Sequence, residues 1–306
     1  MHTKVNAYAK INLFLEVQGL RLDGFHDIRS ILVPVTLADT LEIELTDGAL
    51  ELSTPGLVQF EGVPDPVGIC QEQDNLVFKA ASLLREATGC RHGARIVLEK
   101  RIPIAGGLGG GSADAAATLL VLNRLWQTNL TRTELMALSG RLGCDIPALV
   151  YGGAVSVAGR GEQVKPSPWR AGWRPWLLLV NPGFGVSTKD VYQRYKQDLT
   201  SARQLDTFEN LLAALERGEA AGLAAGLHND LQRTVFNKYP LLEMIADRMA
   251  ELGAQAVLLS GSGATLFALV RDAEHGQGLA SELRRVMNCC LWTSVVQVAG
   301  DLRPEF

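Results

Sequence analysis

Three groups of residues have types and spacing suited to moving a charged group. Gly106, Gly107, Gly109, Gly110 and Gly111 fall within six consecutive positions, and Ser112 and an alanine-rich run follow at once. Glycine at the mouth of a helix is costly, so either the backbone takes angles closed to other residues or something approaches it closely. A glycine-rich loop opening a helix exposes unpaired backbone N–H groups beside the positive end of the helix dipole. That is an anion site, and a cradle of this length suits a triphosphate. Lys10 and Asn12, in AYAKINLF, form the second group; on a strand, positions i and i+2 share a face. Asp145, in GCDIPALV, is a carboxylate at what reads as a helix start, where the dipole favours its ionised form.

The two commonest phosphate loops are excluded. Gly106 to Gly111 has G-x-x-x-x-G spacing, but Ser112 stands where a P-loop needs lysine. A dinucleotide fingerprint fails as well, because Asp114 occupies the third glycine position after Gly109-x-Gly111 and would repel a pyrophosphate. The loop thus has no lysine of its own, and residues remote in sequence must supply cation and acid–base group. Plainer readings stand beside these. The glycines could serve a tight strand-to-helix turn, although one or two would suffice for that. Lys10 fits a solvated strand charge, and Asp145 fits a helix N-cap with Pro147 in the first turn. Ser112 can cap its helix or contact phosphate or metal.

The elements that must position these groups follow from periodicity. Residues 4–17 alternate and read as a strand. An Asp-Gly turn follows, then SILVPVTLADTLEIEL, read as two further strands. Helices are expected at 75–88, at 112–126 after the glycines, at 132–142, near 188–197, 207–216, 240–252 and 273–287. Strands are expected at ARIVLEKRIPIA, AVSVAG, WLLLV, AVLLS, LFALV and TSVVQVA, with a second glycine loop, GSGAT, at 261–265. The stretch KPSPWRAGWRP near 165–175, rich in proline and tryptophan, is the best boundary, giving lobes 1–165 and 166–306. Helices and strands mix in both halves, so the class is α/β or α+β.

Composition fits a globular protein of 306 residues, 47% hydrophobic and 20% charged, with net charge −4. No basic tract suggests nucleic acid. The five cysteines, Cys70, Cys90, Cys144, Cys289 and Cys290, form no Cys-x-x-Cys pair and read as reduced thiols. The opening MHTKVNAYAK lacks a signal-peptide core, and apolar runs such as WLLLV are too short to span a bilayer. A cytoplasmic protein is expected, without a membrane partner, as a monomer or homodimer.

The stretch Pro103, Ile104, Ala105, Gly106, Gly107, Leu108, Gly109, Gly110, Gly111, Ser112, Ala113 resembles the ATP-binding motif of the GHMP kinases (galactose, homoserine, mevalonate and phosphomevalonate kinases). AYAKINLFLEV at 7–17 and LLSGSGATLFALV at 258–270 resemble that family's N-terminal and C-terminal motifs, in the right order across almost the whole chain. RLDGFHDIRSI, DNLVFKAASLL, LGCDIPALVYGG and GFGVSTKDVY resemble the branch whose acceptor is 4-diphosphocytidyl-2-C-methyl-D-erythritol, in the non-mevalonate isoprenoid route. The resemblance implies an α+β fold with two lobes, an N-terminal ribosomal-protein-like lobe carrying the loop and a C-terminal ferredoxin-like lobe. It implies ATP as co-substrate, with Mg2+ carried in on its phosphates, no dedicated metal cluster, and transfer of the γ-phosphate to the acceptor's 2-hydroxyl.

By the same resemblance, Lys10 lies beside the acceptor hydroxyl and the transferring phosphate, and Asp145 orients or deprotonates that hydroxyl. Asn12 bonds the substrate, and His26 reads the cytosine edge where a lone histidine would otherwise be a surface turn residue. Phe25 and Tyr192, with Phe184 as the other option, stack on the base. Asn75 and Lys100 belong to the adenine side, although Asn75 could simply cap its helix and Lys100 be a strand-end charge. Two rivals remain: a homoserine- or mevalonate-type kinase of the family, and a catalytically silent nucleotide-binding protein of the same fold.

Overall fold

The computed structural model describes residues 2–55, 72–195 and 205–302. The first half of the chain runs β1 (His2–Leu20), β2 (His26–Thr46), β3 (Leu50–Ser53), α1 (Leu76–Thr88), β4 (Gly93–Glu99), α2 (Gly110–Leu125), α3 (Arg132–Ser139), α4 (Ile146–Tyr151), β5 (Val155–Gly159) and β6 (Gln163–Pro166). The second half continues with β7 (Trp176–Asn181), α5 (Thr188–Arg194), α6 (Leu205–Arg217), α7 (Ala220–Gly226), β8 (His228–Asn229), α8 (Leu231–Lys238), α9 (Pro240–Glu251), β9 (Val257–Leu259), β10 (Leu266–Val270), α10 (Ala273–Met287) and β11 (Trp292–Gln297).

The expected pair of strands over 30–45 is one strand. β2 stays extended from His26 to Thr46 because a bulge absorbs the irregularity. Its pairing with β1 slips between Lys10↔Pro34 and Tyr8↔Ala38, and the unpaired stretch is taken up by a bridge from Val35 to Val298. This length lets one strand carry β4 along Thr40–Thr46 and β5 along Ile28–Leu32, with β1 on its other edge. The resulting sheet is seven-stranded, and its path β3-β4-β2-β1-β8 ends on a strand from the second half of the chain.

The second sheet is four-stranded, in the order β11-β7-β10-β9, and every neighbouring pair is antiparallel. With helices between β7 and β9 and α10 between β10 and β11, this is the ferredoxin-like β-α-β-β-α-β arrangement. One core packs α1 and α2 on the first sheet, around Leu41, Leu84, Ile96 and Leu119. A second lies between the two sheets and joins Ile11, Leu13 and Val33 to Leu177, Phe208 and Phe267. A third packs α8, α9 and α10 on the outer face of the smaller sheet. The sequence reading does not include α7 and α8, which are seven and eight residues long. Residues 196–197 of the helix expected near 188–197 lie outside the described residues. No helix among the described residues is long and apolar enough to cross a membrane.

Candidate active site

Helix α2 begins at Gly110, two residues earlier than its spacing suggests, and Gly109 is its cap in the left-handed conformation at φ +67°. Ser112 is therefore not the cap; it is the third helical residue and half-buried. The backbone N–H groups of the first turn stay free of intrahelical partners, as at any helix start, so the anion cradle survives with its boundaries shifted.

Two glycines in the loop have identifiable reasons. Gly107 has φ +79°, and a Cβ there would lie 2.3 Å from the Ser260 carbonyl oxygen. Gly109 lies against the Lys10 side chain, 2.9 Å from a Cβ position to Cγ. The partner that comes close is thus the second glycine loop together with the Lys10 stem. Hydrogen bonds sew the loop along its length. The Lys10 N–H donates to Leu108 O at 2.9 Å, Thr265 N–H to Gly106 O at 3.0 Å, and Ser260 Oγ to Gly107 O at 3.0 Å.

Lys10 is no solvated strand charge, since only 7% of its side chain is exposed. Both faces of β1 are buried at this point, and the second glycine loop closes over it, with a Cβ on Gly261 falling 3.2 Å from Asn12 Oδ1 and 3.5 Å from Lys10 Nζ. Lys10 Nζ donates to Asn12 Oδ1 at 2.8 Å, and Asn12 Nδ2 donates to Ser30 Oγ at 2.9 Å, so the amide is held in one orientation. Lys10 Nζ also lies 3.3 Å from Asp145 Oδ2. Asp145 occupies the N-cap position of α4, but its side chain makes no capping hydrogen bond. It is turned to the lysine instead, with 41% of the side chain exposed.

A cluster of rings lies beside this pair. His26 and Tyr192 face each other with centroids 5.2 Å apart, and Tyr195 meets His26 edge-on at 6.1 Å. Burial holds the Tyr192 hydroxyl well above the usual tyrosine range, and the Asp145 charge adds to it. Burial pushes His26 below its ordinary value. Phe184 packs on Tyr239 at 5.4 Å, so of the two second-half aromatics it is Tyr192 that joins His26. Phe25 is half exposed, with the Arg160 guanidinium 5.1 Å from its ring centroid. Arg160 was not singled out by sequence, since nothing local marks the β5–β6 turn as facing the β1–β2 hairpin.

Asn75 caps α1, accepting from Val77 N–H at 2.9 Å. Lys100 Nζ is bound by Asp114 at 2.7 Å and by Asp39. Neither carboxylate was expected in the site. Asp39 sits in an ordinary strand pattern, and Asp114 registered only as an obstacle to a dinucleotide loop. Burial works against the Lys100 charge, but Asp114 and Asp39 outweigh it and hold the ammonium above its usual value. Burial lifts Asp114 to about 7, with the Asp39 charge adding and Lys100 opposing.

A glycine loop at a helix start, a buried lysine touching a carboxylate at its mouth, and a ferredoxin-like half closing over both define a class of small-molecule kinase. The GHMP kinases N terminal domain model matches residues 75–153, and the GHMP kinases C terminal model matches residues 211–289. The chain belongs to the GHMP kinase family. Among its relatives, the 4-diphosphocytidyl-2-C-methyl-D-erythritol kinase of Shouchella clausii is 40% identical over 287 residues, covering 93% of this chain and 91% of that one. The protein of the same name from Pelotomaculum thermopropionicum is 40% identical over 283 residues, covering 91% and 93%. A crystal structure of 4-(cytidine 5'-diphospho)-2C-methyl-D-erythritol kinase superposes with a TM-score of 0.78 at 34% identity, covering 97% of this chain and 100% of that one. Homoserine kinase from Cytophaga hutchinsonii shares the fold, with a TM-score of 0.72 at 18% identity, covering 98% and 95%.

Proposed function

We propose that this chain transfers the γ-phosphate of ATP to the 2-hydroxyl of 4-diphosphocytidyl-2-C-methyl-D-erythritol, in the non-mevalonate route to isoprenoids. The observation that carries the reading is the Lys10–Asp145 pair, 3.3 Å apart at the mouth of the glycine loop, in a chain 40% identical to kinases of that name. Phosphoryl transfer asks for positioning and charge stabilisation more than for covalent chemistry. The loop residues 103–113 hold the triphosphate on backbone N–H groups and the helix start. Asp145 faces the cleft, orients the acceptor hydroxyl and is placed to take its proton. Lys10 puts a positive charge beside the oxygen that gains negative character, in a setting where water is excluded and the charge acts strongly. Asn12 holds Lys10 and bonds the acceptor.

At the far end of the acceptor, His26 reads the cytosine edge, and Phe25 and Tyr192 offer ring faces to the base. Among the described residues no group of three His, Cys, Asp or Glu side chains converges as a metal cage. Mg2+ would arrive with ATP, held by phosphate oxygens and water, where it would neutralise phosphate charge. Asn75 lines the adenine side of the loop, Lys100 lies beneath the loop between Asp39 and Asp114, and residues 1–165 and 166–306 form the two lobes.

A coupled ADP-release assay on a panel of 4-diphosphocytidyl-2-C-methyl-D-erythritol, homoserine and mevalonate tests the reading. Turnover is expected with the cytidyl substrate. Turnover with homoserine or mevalonate alone would reassign the acceptor, and ATP binding without turnover on any of them would leave a silent nucleotide-binding protein.

A further inference from the structure

Lys100, Asp39 and Asp114 come from three separate parts of the fold and meet beneath the glycine loop. Asp39 belongs to β2, Lys100 follows β4, and Asp114 lies at the start of α2. The Asp39 side chain is fully buried, that of Asp114 is 3% exposed and that of Lys100 is 11% exposed. Lys100 Nζ donates to one oxygen of each carboxylate. The second oxygen of Asp39 accepts the backbone N–H groups of Arg101 and Ile102, the latter at 2.9 Å. Asp39 therefore grips the chain where it enters the loop, Asp114 is part of the chain where it leaves, and Lys100 ties the two ends together. Nζ also lies 3.3 Å from a Cβ position on Gly110, directly behind the first residue of the helix.

Such a cluster is an expensive way to hold a turn. Buried ions cost more in desolvation than well-packed apolar side chains would, and here two carboxylates share one ammonium. The second oxygen of Asp114 is buried with no hydrogen-bond partner among the described residues. A negative surplus directly under a triphosphate cradle gains nothing by attraction, so its value lies in fixing the loop. With both carboxylates engaged, the ammonium is committed to the protein and turned away from a nucleotide.

We propose that Asp39, Lys100 and Asp114 form a clamp that sets the position of the ATP loop, so that Lys100 is a positioning residue acting on ATP through the loop and not by touching it. This rests on the reading of the loop as the ATP site. The test compares ATP dissociation constants, and the KM values for ATP and acceptor, in the wild type, Lys100→Met, Asp114→Asn and the double variant. Lys100→Met strands two buried carboxylates and is expected to raise KM for ATP about tenfold or more, with KM for the acceptor changed by less than about twofold. Asp114→Asn in the same chain removes one stranded charge while keeping a hydrogen-bonding group, and is expected to restore most of the lost ATP affinity.

A double variant as weak for ATP as Lys100→Met overturns the clamp, because the loss then comes from a missing direct contact. So does a folded Lys100→Met with unchanged KM for ATP. Should Lys100→Met fail to fold, the double variant decides: wild-type ATP affinity supports the clamp, and lost affinity in a folded double variant overturns it. A wild-type chain that binds no ATP would instead remove the loop reading itself.

Discussion

The Lys10 ammonium and the Asp145 carboxylate, 3.3 Å apart, are exposed to very different degrees, 7% for the lysine side chain and 41% for the aspartate. The buried partner fixes the exposed one. Asp145 gives up the capping bond its position at α4 offers, and the carboxylate is left facing the cleft with its charge balanced on one side only.

Asp145→Asn keeps the shape and a hydrogen-bonding group but cannot take a proton. Turnover is expected to fall by about 10²- to 10⁴-fold, the range for a removed general base. The ATP dissociation constant is expected to stay unchanged, because the glycine loop does not depend on Asp145. Steady-state kinetics alongside calorimetric titration with ATP separates the two effects. Near-wild-type turnover would take Asp145 out of the chemistry.

Gly107→Ala tests why the loop is rich in glycine. Two things forbid a side chain there, the φ of +79° and the Ser260 carbonyl 2.3 Å from the new Cβ. Gly48 has φ +93° and nothing within 4 Å, so Gly48→Ala reports the backbone strain alone. Residues forced into this region cost about 1–3 kcal/mol each, and Gly107→Ala is expected to exceed Gly48→Ala because the second glycine loop must also retreat. Denaturation midpoints give the comparison. A raised KM for ATP in Gly107→Ala alone would tie the contact to nucleotide binding.

How much of this could be read beforehand differs from residue to residue. Period two placed Lys10 and Asn12 on one face but said nothing of burial, because burial comes from a loop some 250 positions later, at Ser260–Gly263, folding over β1. Periodicity is local, so it also missed the bulge that lets β2 run unbroken past Pro34. The fourteen positions from Lys100 to Asp114 are visible in the sequence, but the second carboxylate on Lys100, Asp39, is brought alongside only by the Thr40↔Glu99 register. The aromatic pair was half legible. His26 and Tyr192 stood out as side chains, but which of Tyr192 and Phe184 turned toward His26 depended on how α5 and α8 pack.

Asp114 gives the protein a pH-dependent stability of definite sign. Its folded value of about 7 lies above the ordinary 3.8, so the folded state binds the proton more tightly. Stability from this group is full below the unfolded value and is lost as pH rises through about 7. Lys100 is raised from 10.5 and stays charged throughout that window, so it adds no slope of its own there. Asp114→Asn is expected to flatten the decline between about pH 4 and about pH 7 in chemical denaturation. An unchanged slope in the variant would assign the titration to another group.

His26 runs in the opposite direction. Burial holds its value below 6.5, so the ring is neutral at pH 7, and the stability it contributes is lost as pH falls through the depressed value. A neutral imidazole has one donor and one acceptor, whereas the protonated ring only donates. The cytosine edge offers both kinds of group, so protonation removes half of what His26 can read. KM for the cytidyl substrate is therefore expected to rise as pH falls through that depressed value, while KM for ATP stays level. His26→Gln has no titrating ring and is expected to show a higher but pH-independent KM for the acceptor. An NMR titration of the ring protons locates the His26 transition directly. An acceptor KM that stays flat with pH in the wild type would separate His26 from base recognition, whatever its contact with Tyr192.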